Sequence, residues 1–298
     1  MATFIQLLQT FIMTKKILFI AFFFLLNQHL FAGTHDTKTS YPIESAVPGG
    51  VVIINLSPVL TEKVKAYFSG KRVLVRKTNN SLQAVIGLPL KIKSGIHKIK
   101  LVSLKGKTSY QEFSVHSKDY ETRHITIKNK RMVSPKKEDI ARHYKEKPLM
   151  LTALKTWTEN KNIQTNFIHP VDGRFSSIFG LNRIYNKQKR IRRHTGLDIA
   201  APVGTAIISP ARGTVIRTGS YFFTGNTVFI DHGQGLVTMY CHLNKTIIKA
   251  GQKLEQGQKI GTVGMTGRVS GPHLHWVVSL NNTKVDPKLF IKTDVAKR

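Results

Sequence analysis

The chain has 298 residues, 41% of them hydrophobic, and carries a formal net charge of +30 from 46 basic and 16 acidic residues. That apolar content excludes wholesale disorder and is enough for about two domains, while the lone Cys241 excludes an internal disulfide. The basic excess runs through the whole chain rather than a tail, so it favours anionic partners.

Residues 1–32 read as a signal peptide. Lys15 and Lys16 form a positive n-region, Ile17 to Leu26 is an apolar run too short for a membrane span, and Ala32-Gly33 offers small residues for cleavage. The Lys pair falls close behind Met13, which makes Met13 an alternative start to Met1. No later run reaches the roughly 18 apolar residues of a membrane helix. The mature chain is therefore expected to be exported, periplasmic or secreted, with no membrane span. Residues 33–40 are polar and read as a linker.

Residues 41–130 have the grammar of short strands. Val51 to Leu56 is mostly apolar and β-branched, Val73-Leu74-Val75 is flanked by basic pairs, and Leu82 to Leu88 follows the turn-forming Asn79-Asn80. Ile99 and Leu101 alternate with Lys98 and Lys100, the period-2 mark of a half-buried strand. Tyr110 to Val115 and His124 to Ile127 add two more candidates, and the whole predicts a β-sandwich-like domain.

Residues 131–166 predict a helical connector. Ser134 is placed as N-cap with Pro135 at the first helical position, Pro148 interrupts the helix, and Leu151 to Trp157 forms a second piece. From residue 167 to 298, short segments rich in Val, Ile and Thr alternate with turn glycines, which predicts an all-β domain. The fold class is thus mainly β.

The chemistry-bearing residues lie in this last region. His194-Thr195-Gly196-Leu197-Asp198 is a His-x-x-x-Asp, His242 stands alone in an apolar strand, and His273-Leu274-His275 is a His-x-His. Side chains alternate along a strand, so His273 and His275 share one face. Imidazole and carboxylate suit zinc, and a catalytic zinc site takes three protein ligands and leaves one position open. Five candidates for three places leave two to move protons or to stabilise developing charge.

The region resembles the M23 family of zinc peptidases, of lysostaphin-like or LytM-like fold. Ser176-Ser177-Ile178-Phe179-Gly180, Arg193 to Pro202, Gly213-Thr214-Val215, Gly225-Asn226-Thr227-Val228, Asp231-His232-Gly233, Thr238 to Leu243, Gly264-Met265-Thr266-Gly267 and Gly271 to His275 carry the resemblance in the family's order. It implies His194, Asp198 and His275 as zinc ligands and His242 and His273 as the catalytic pair, with His232 structural. It also implies a zinc endopeptidase acting on peptide stems or cross-links of peptidoglycan. Where the family often carries an aromatic residue and then an acid after the last His, this chain has Trp276 and Val277. Residues 41–130 resemble the N-terminal domain of some Gram-negative M23 peptidases, carried by Pro48-Gly49-Gly50-Val51 and by Ala84 to Leu90. Expected partners are peptidoglycan and anionic envelope polymers. The leader, and the lack of a recognised nucleic-acid motif, argue against nucleic acid. The rival expectation is a non-enzymatic envelope protein that activates another wall hydrolase. Such relatives resemble the fold but lack the ligands.

Overall fold

The structure, a computed structural model, describes residues 41–56, 64–78, 81–160 and 162–292. The expected signal peptide, the linker and the Asn79-Asn80 turn lie outside the described residues. Among those described, no helix is long and apolar enough to cross a membrane.

Strands β1 (Val51–Leu56), β2 (Lys65–Phe68), β3 (Lys71–Lys77), β4 (Leu82–Gly87), β5 (Gly95–Val102) and β6 (Thr108–Val115) form an antiparallel sheet in the order β1-β4-β3-β2-β5-β6. Strand β3 belongs to both halves, since Val73 pairs with β2 and Leu74 with β4. The two halves share one core, with Ile54 and Ile86 from one and Phe68 and Leu101 from the other. On β5 the alternation holds: Ile99 and Leu101 are buried, Lys98 and Lys100 exposed.

Strands β1 and β4 read as continuous apolar runs because both of their faces are covered. Val52, Ile54 and Ile86 face the core of their own sheet. Val51, Leu74 and Val85 instead join the core that holds Leu236, Val278 and Val285. Asn281 completes this junction, accepting from Gly87 N at 2.7 Å and donating to Gly87 O at 3.2 Å.

The chain continues through β7 (Thr122–Ile125), one α-helix, α1 (Lys137–Leu154), then β8 (Arg174–Ser177), β9 (Asn182–Tyr185) and β10 (Ile191–Arg193). Strand β7 runs parallel to β9, giving a small sheet ordered β10-β9-β7. After these come β11 (Leu197–Ala200), β12 (Ala206–Ile208), β13 (Gly213–Tyr221), β14 (Gly225–Gly233), β15 (Leu236–Thr246), β16 (Lys253–Leu254), β17 (Lys259–Val263), β18 (His273–Leu280) and β19 (Thr283–Val285). Their main path is β16-β13-β14-β15-β18-β11-β8, with neighbours antiparallel.

The helix differs from its sequence expectation. It starts at Lys137, after Ser134 and Pro135, and Lys136 N donates to Asp139 Oδ2 at 3.1 Å. Pro148 lies inside one uninterrupted helix. It sits on an exposed stretch, so solvent can satisfy the carbonyl that loses its N–H partner. Ala153 and Leu154 anchor the far end against Phe229, Met239, Cys241 and Val277. Burying Leu154 contributes about 1.5–3 kcal/mol and the Ala153 methyl about 0.8 kcal/mol, together on the scale of the ~3 kcal/mol that one proline costs. Glu146 adds a polar tie, accepting from Phe222 N at 2.8 Å and from Arg142 at 2.6 Å.

Candidate metal centre

Strands β11 and β18 pair so that Asp198 lies opposite His275, and Ala200 opposite His273. Paired residues share a face, so this register brings the His-x-x-x-Asp and His-x-His motifs together. His275 Nδ1 lies 2.7 Å from Asp198 Oδ1 and His273 Nε2 lies 3.8 Å from it, as the shared strand face requires.

His194 stands just before β11. Its backbone is fixed by His194 N donating to Leu181 O and Gly180 N donating to His194 O, both at 2.8 Å. Its Nδ1–H donates to Ile178 O at 2.6 Å, which turns Nε2 toward Asp198 Oδ1 at 3.0 Å and His275 Nδ1 at 3.1 Å. Gly196 lets the imidazole in: a Cβ there would stand 2.7 Å from His275 Cε1 and 2.6 Å from Trp276 O.

His242 reaches the same place by a backbone irregularity. Between Val228 and Asn226, β15 inserts one extra residue opposite β14, and His242 takes φ 66°. That left-handed conformation is uncommon outside glycine and clusters at functional sites. A bulge re-aims the side chain it carries, and the His242 ring lies 4.9 Å from that of His273 and 5.9 Å from that of His275. His242 Nδ1–H donates to Thr266 O at 2.7 Å and His273 Nδ1–H donates to Gly271 O at 2.8 Å. In the neutral ring this leaves Nε2 bare, the form able to accept a proton.

All five expected residues thus converge. His194 Nε2, Asp198 Oδ1 and His275 Nδ1 are three ligand atoms within 4.8 Å of one another. With Nδ1 of His194 committed as a donor, Nε2 presents a lone pair to a carboxylate and to a second imidazole. Such a set fits a divalent ion with nitrogen and oxygen ligands. Burial pushes His275 down to about 4 and His242 well below the usual histidine range, so both rings are neutral near pH 7. Burial opposes ionisation of Asp198, but His194 and His275 outweigh it and hold the carboxyl well below its ordinary value.

Arg183 is a contributor that the sequence reading did not single out. It lies on β9, pairs with Asp198 Oδ2 and donates to Ser177 Oγ at 2.7 Å. In sequence it is one arginine in a basic stretch; only the β9 fold-back brings it to the carboxylate. His232 lies apart from the five, donating through Nδ1–H to Arg212 O at 2.7 Å and hydrogen-bonded through Nε2 to Thr238 Oγ1 at 2.8 Å.

Residues 192–287 match the model of peptidase family M23, and residues 44–118 match that of the M23 N-terminal domain. A putative M23 peptidase of Pseudomonas aeruginosa of known structure is 38% identical, with a TM-score of 0.69, covering 84% of this chain and 96% of that one. The peptidoglycan DD-endopeptidase ShyA of Vibrio cholerae is 42% identical over 120 residues, 40% of this chain and 28% of that protein. The cell division protein DipM of Caulobacter vibrioides is 37% identical over 132 residues, 42% of this chain and 21% of that protein. The match thus spans little more than a quarter of the Vibrio protein and about a fifth of the Caulobacter protein.

Proposed function

The chain belongs to peptidase family M23, and from that premise we propose that it is a zinc-dependent endopeptidase hydrolysing peptide stems or cross-links of bacterial peptidoglycan. The observation that carries this reading is the convergence of His194, Asp198 and His275 beside two histidines whose Nδ1 atoms are held by backbone carbonyls. In this reading those three residues hold zinc. A bound zinc ion supplies Lewis acidity at the scissile carbonyl and the attacking water.

The rest is done by the chain. His242 and His273, each with a free Nε2, accept the proton of the attacking water and return it to the departing amine. In their protonated form they donate to the oxyanion that develops at the carbonyl. Thr266 O and Gly271 O hold both rings in the required tautomer.

The intact ligand trio favours catalysis over the rival role of a non-enzymatic activator, whose representatives lack ligands. Residues 1–32 serve as the export signal in this reading. Residues 33–40 are the linker, 41–130 the N-terminal β domain, 131–166 the helical connector and 167–298 the peptidase domain. The enzyme then acts in the periplasm or outside the cell, where its substrate lies. The test is incubation of purified protein with isolated peptidoglycan, with products identified by mass spectrometry and metal content measured on the same sample. About one zinc per chain and peptide-bond cleavage lost in chelator are expected. Undiminished cleavage in excess chelator would overturn the reading.

A further inference from the structure

Two half-buried arginines of this chain find an acid, Arg183 with Asp198 and Arg72 with Glu159. Arg268 and Arg192 do not: among the described residues neither forms an ion pair with an acid, and the favourable group beside both is the Tyr185 phenol. Arg268 follows closely on Thr266, whose carbonyl holds His242. Its backbone N–H donates to Phe223 O at 2.9 Å, and the next carbonyl, Thr224 O, accepts from His242 N, also at 2.9 Å. The same two loops therefore fix the histidine and the arginine.

The Arg268 side chain crosses to the hairpin of β9 and β10. Its guanidinium lies 4.9 Å from the Tyr185 ring and 4.5 Å from the Phe223 ring. Stacking on rings engages the flat faces of a guanidinium and leaves its in-plane N–H fork, which matches a carboxylate. Arg192 stands on β10 directly opposite Arg183 on β9. Like charges directly opposed across strands are destabilising, and Asp198 compensates only Arg183. Burial and the neighbouring arginines depress the pKa of Arg268, so its charge is held in a positive field.

A buried, unpartnered polar atom lies beside this pair. His143 Nδ1 on α1 has no hydrogen-bond partner, and its ring packs edge-on to Phe223 with centroids 4.9 Å apart. Glu146, the nearby acid, is already taken by Arg142 and by Phe222 N. Three groups that would each gain from an anion are thus left without one, next to the loop that positions His242.

We propose that Arg268 and Arg192 form a carboxylate subsite at the edge of the histidine cluster, and that it binds the free carboxylates of an acidic stem peptide. The proposal rests on the peptidoglycan reading for the source of that peptide. Stem peptides carry a free carboxylate wherever a glutamate is linked through its side chain or a diamino acid keeps one acid unlinked. Seating that group would fix the peptide relative to the reacting carbonyl.

The test is calorimetric binding by the full zinc-loaded chain of an uncross-linked stem tetrapeptide, compared with the same peptide amidated at its glutamate and diaminopimelate carboxyls. The probe has no cross-link to cut, and mass spectrometry of the sample after titration shows whether its stem is cut, so binding is read apart from turnover and its result stands whether or not the chain cleaves peptidoglycan. The free acid is expected to bind about tenfold or more tightly, the scale of one charge-assisted pair. R192Q/R268Q should bind both forms equally. R268K, which keeps charge but loses the planar fork, should retain part of the preference. Equal binding of both peptides by the unaltered protein would overturn the proposal without needing any variant. So would a preference that survives intact in folded R192Q/R268Q.

Discussion

Arg183 pairs with Oδ2 of Asp198, the oxygen opposite the one that faces His194 and His275. The carboxylate is thereby held with Oδ1 presented to the imidazoles and Oδ2 withdrawn. A partner behind a ligand fixes its orientation, and losing one typically costs 10–100-fold in metal affinity. Arg183→Met is expected to weaken zinc binding by about that factor and to lose activity at limiting zinc, with recovery as zinc is added. Competition with a zinc-selective chelator measures this directly. Unchanged affinity would show that Arg183 only packs.

Within His-x-His the two rings have different work. His275 lies 2.7 Å from Asp198 Oδ1, whereas His273 lies 3.8 Å from it and close to His242. His275→Ala is expected to lose zinc and activity together, because a ligand is gone. His273→Ala and His242→Ala should keep the metal but lose about 10²–10⁴-fold in rate, the usual weight of a general acid–base group. Zinc content and cleavage rate of each folded variant decide the matter. An empty site in His273→Ala with zinc retained in His275→Ala would reverse the assignment.

The legible part of this site was the part carried by local spacing. His273 and His275 fall on one face because strand side chains alternate, and the alternation of Ile99 and Leu101 with lysines marked β5 for the same reason. What sequence could not supply came from pairing at a distance. Arg183 reaches Asp198 only through the path of β9, and His242 reaches the cluster only because β15 carries an extra residue with positive φ. Strand β2 is silent in the sequence because Lys65–Phe68 is too short to show a period. Pro148 reads as a break in sequence because local propensity is blind to the packing of Ala153 and Leu154.

Acid should destabilise the fold through His232. Burial lowers its pKa to about 4, whereas an unfolded histidine titrates near 6.5. The folded state then keeps His232 neutral while the unfolded state gains a proton. Its contribution is complete above roughly pH 6.5 and is lost as pH falls toward 4, on the order of 3 kcal/mol in all. His232→Gln should flatten that part of the pH dependence, although other buried histidines add loss in the same direction. Urea midpoints at pH 7 and pH 4.5 for both proteins give the comparison. Parallel losses in the two would exclude His232 as a source.

Asn281 does two jobs that can be separated. With Asn282 it forms the two-residue turn between β18 and β19, at φ 45° and 53°, a left-handed pair suited to a tight hairpin. Its side chain also accepts from Gly87 N and donates to Gly87 O, both buried, across the junction between the two sheets. Gly87 has no room for a substitute contact, since a Cβ there would stand 2.9 Å from Leu280 O. Asn281→Gly keeps the turn geometry and removes the amide. Two buried backbone groups then lose their partners, at about 1–3 kcal/mol for each left unsatisfied. The expected loss is therefore about 2–6 kcal/mol in urea unfolding, with zinc content unchanged because His194, Asp198 and His275 lie elsewhere on the sheet. A loss below about 0.5 kcal/mol, the range of an ordinary surface change, would mean that the apolar contacts of Val51, Leu74 and Val85 hold the junction without it.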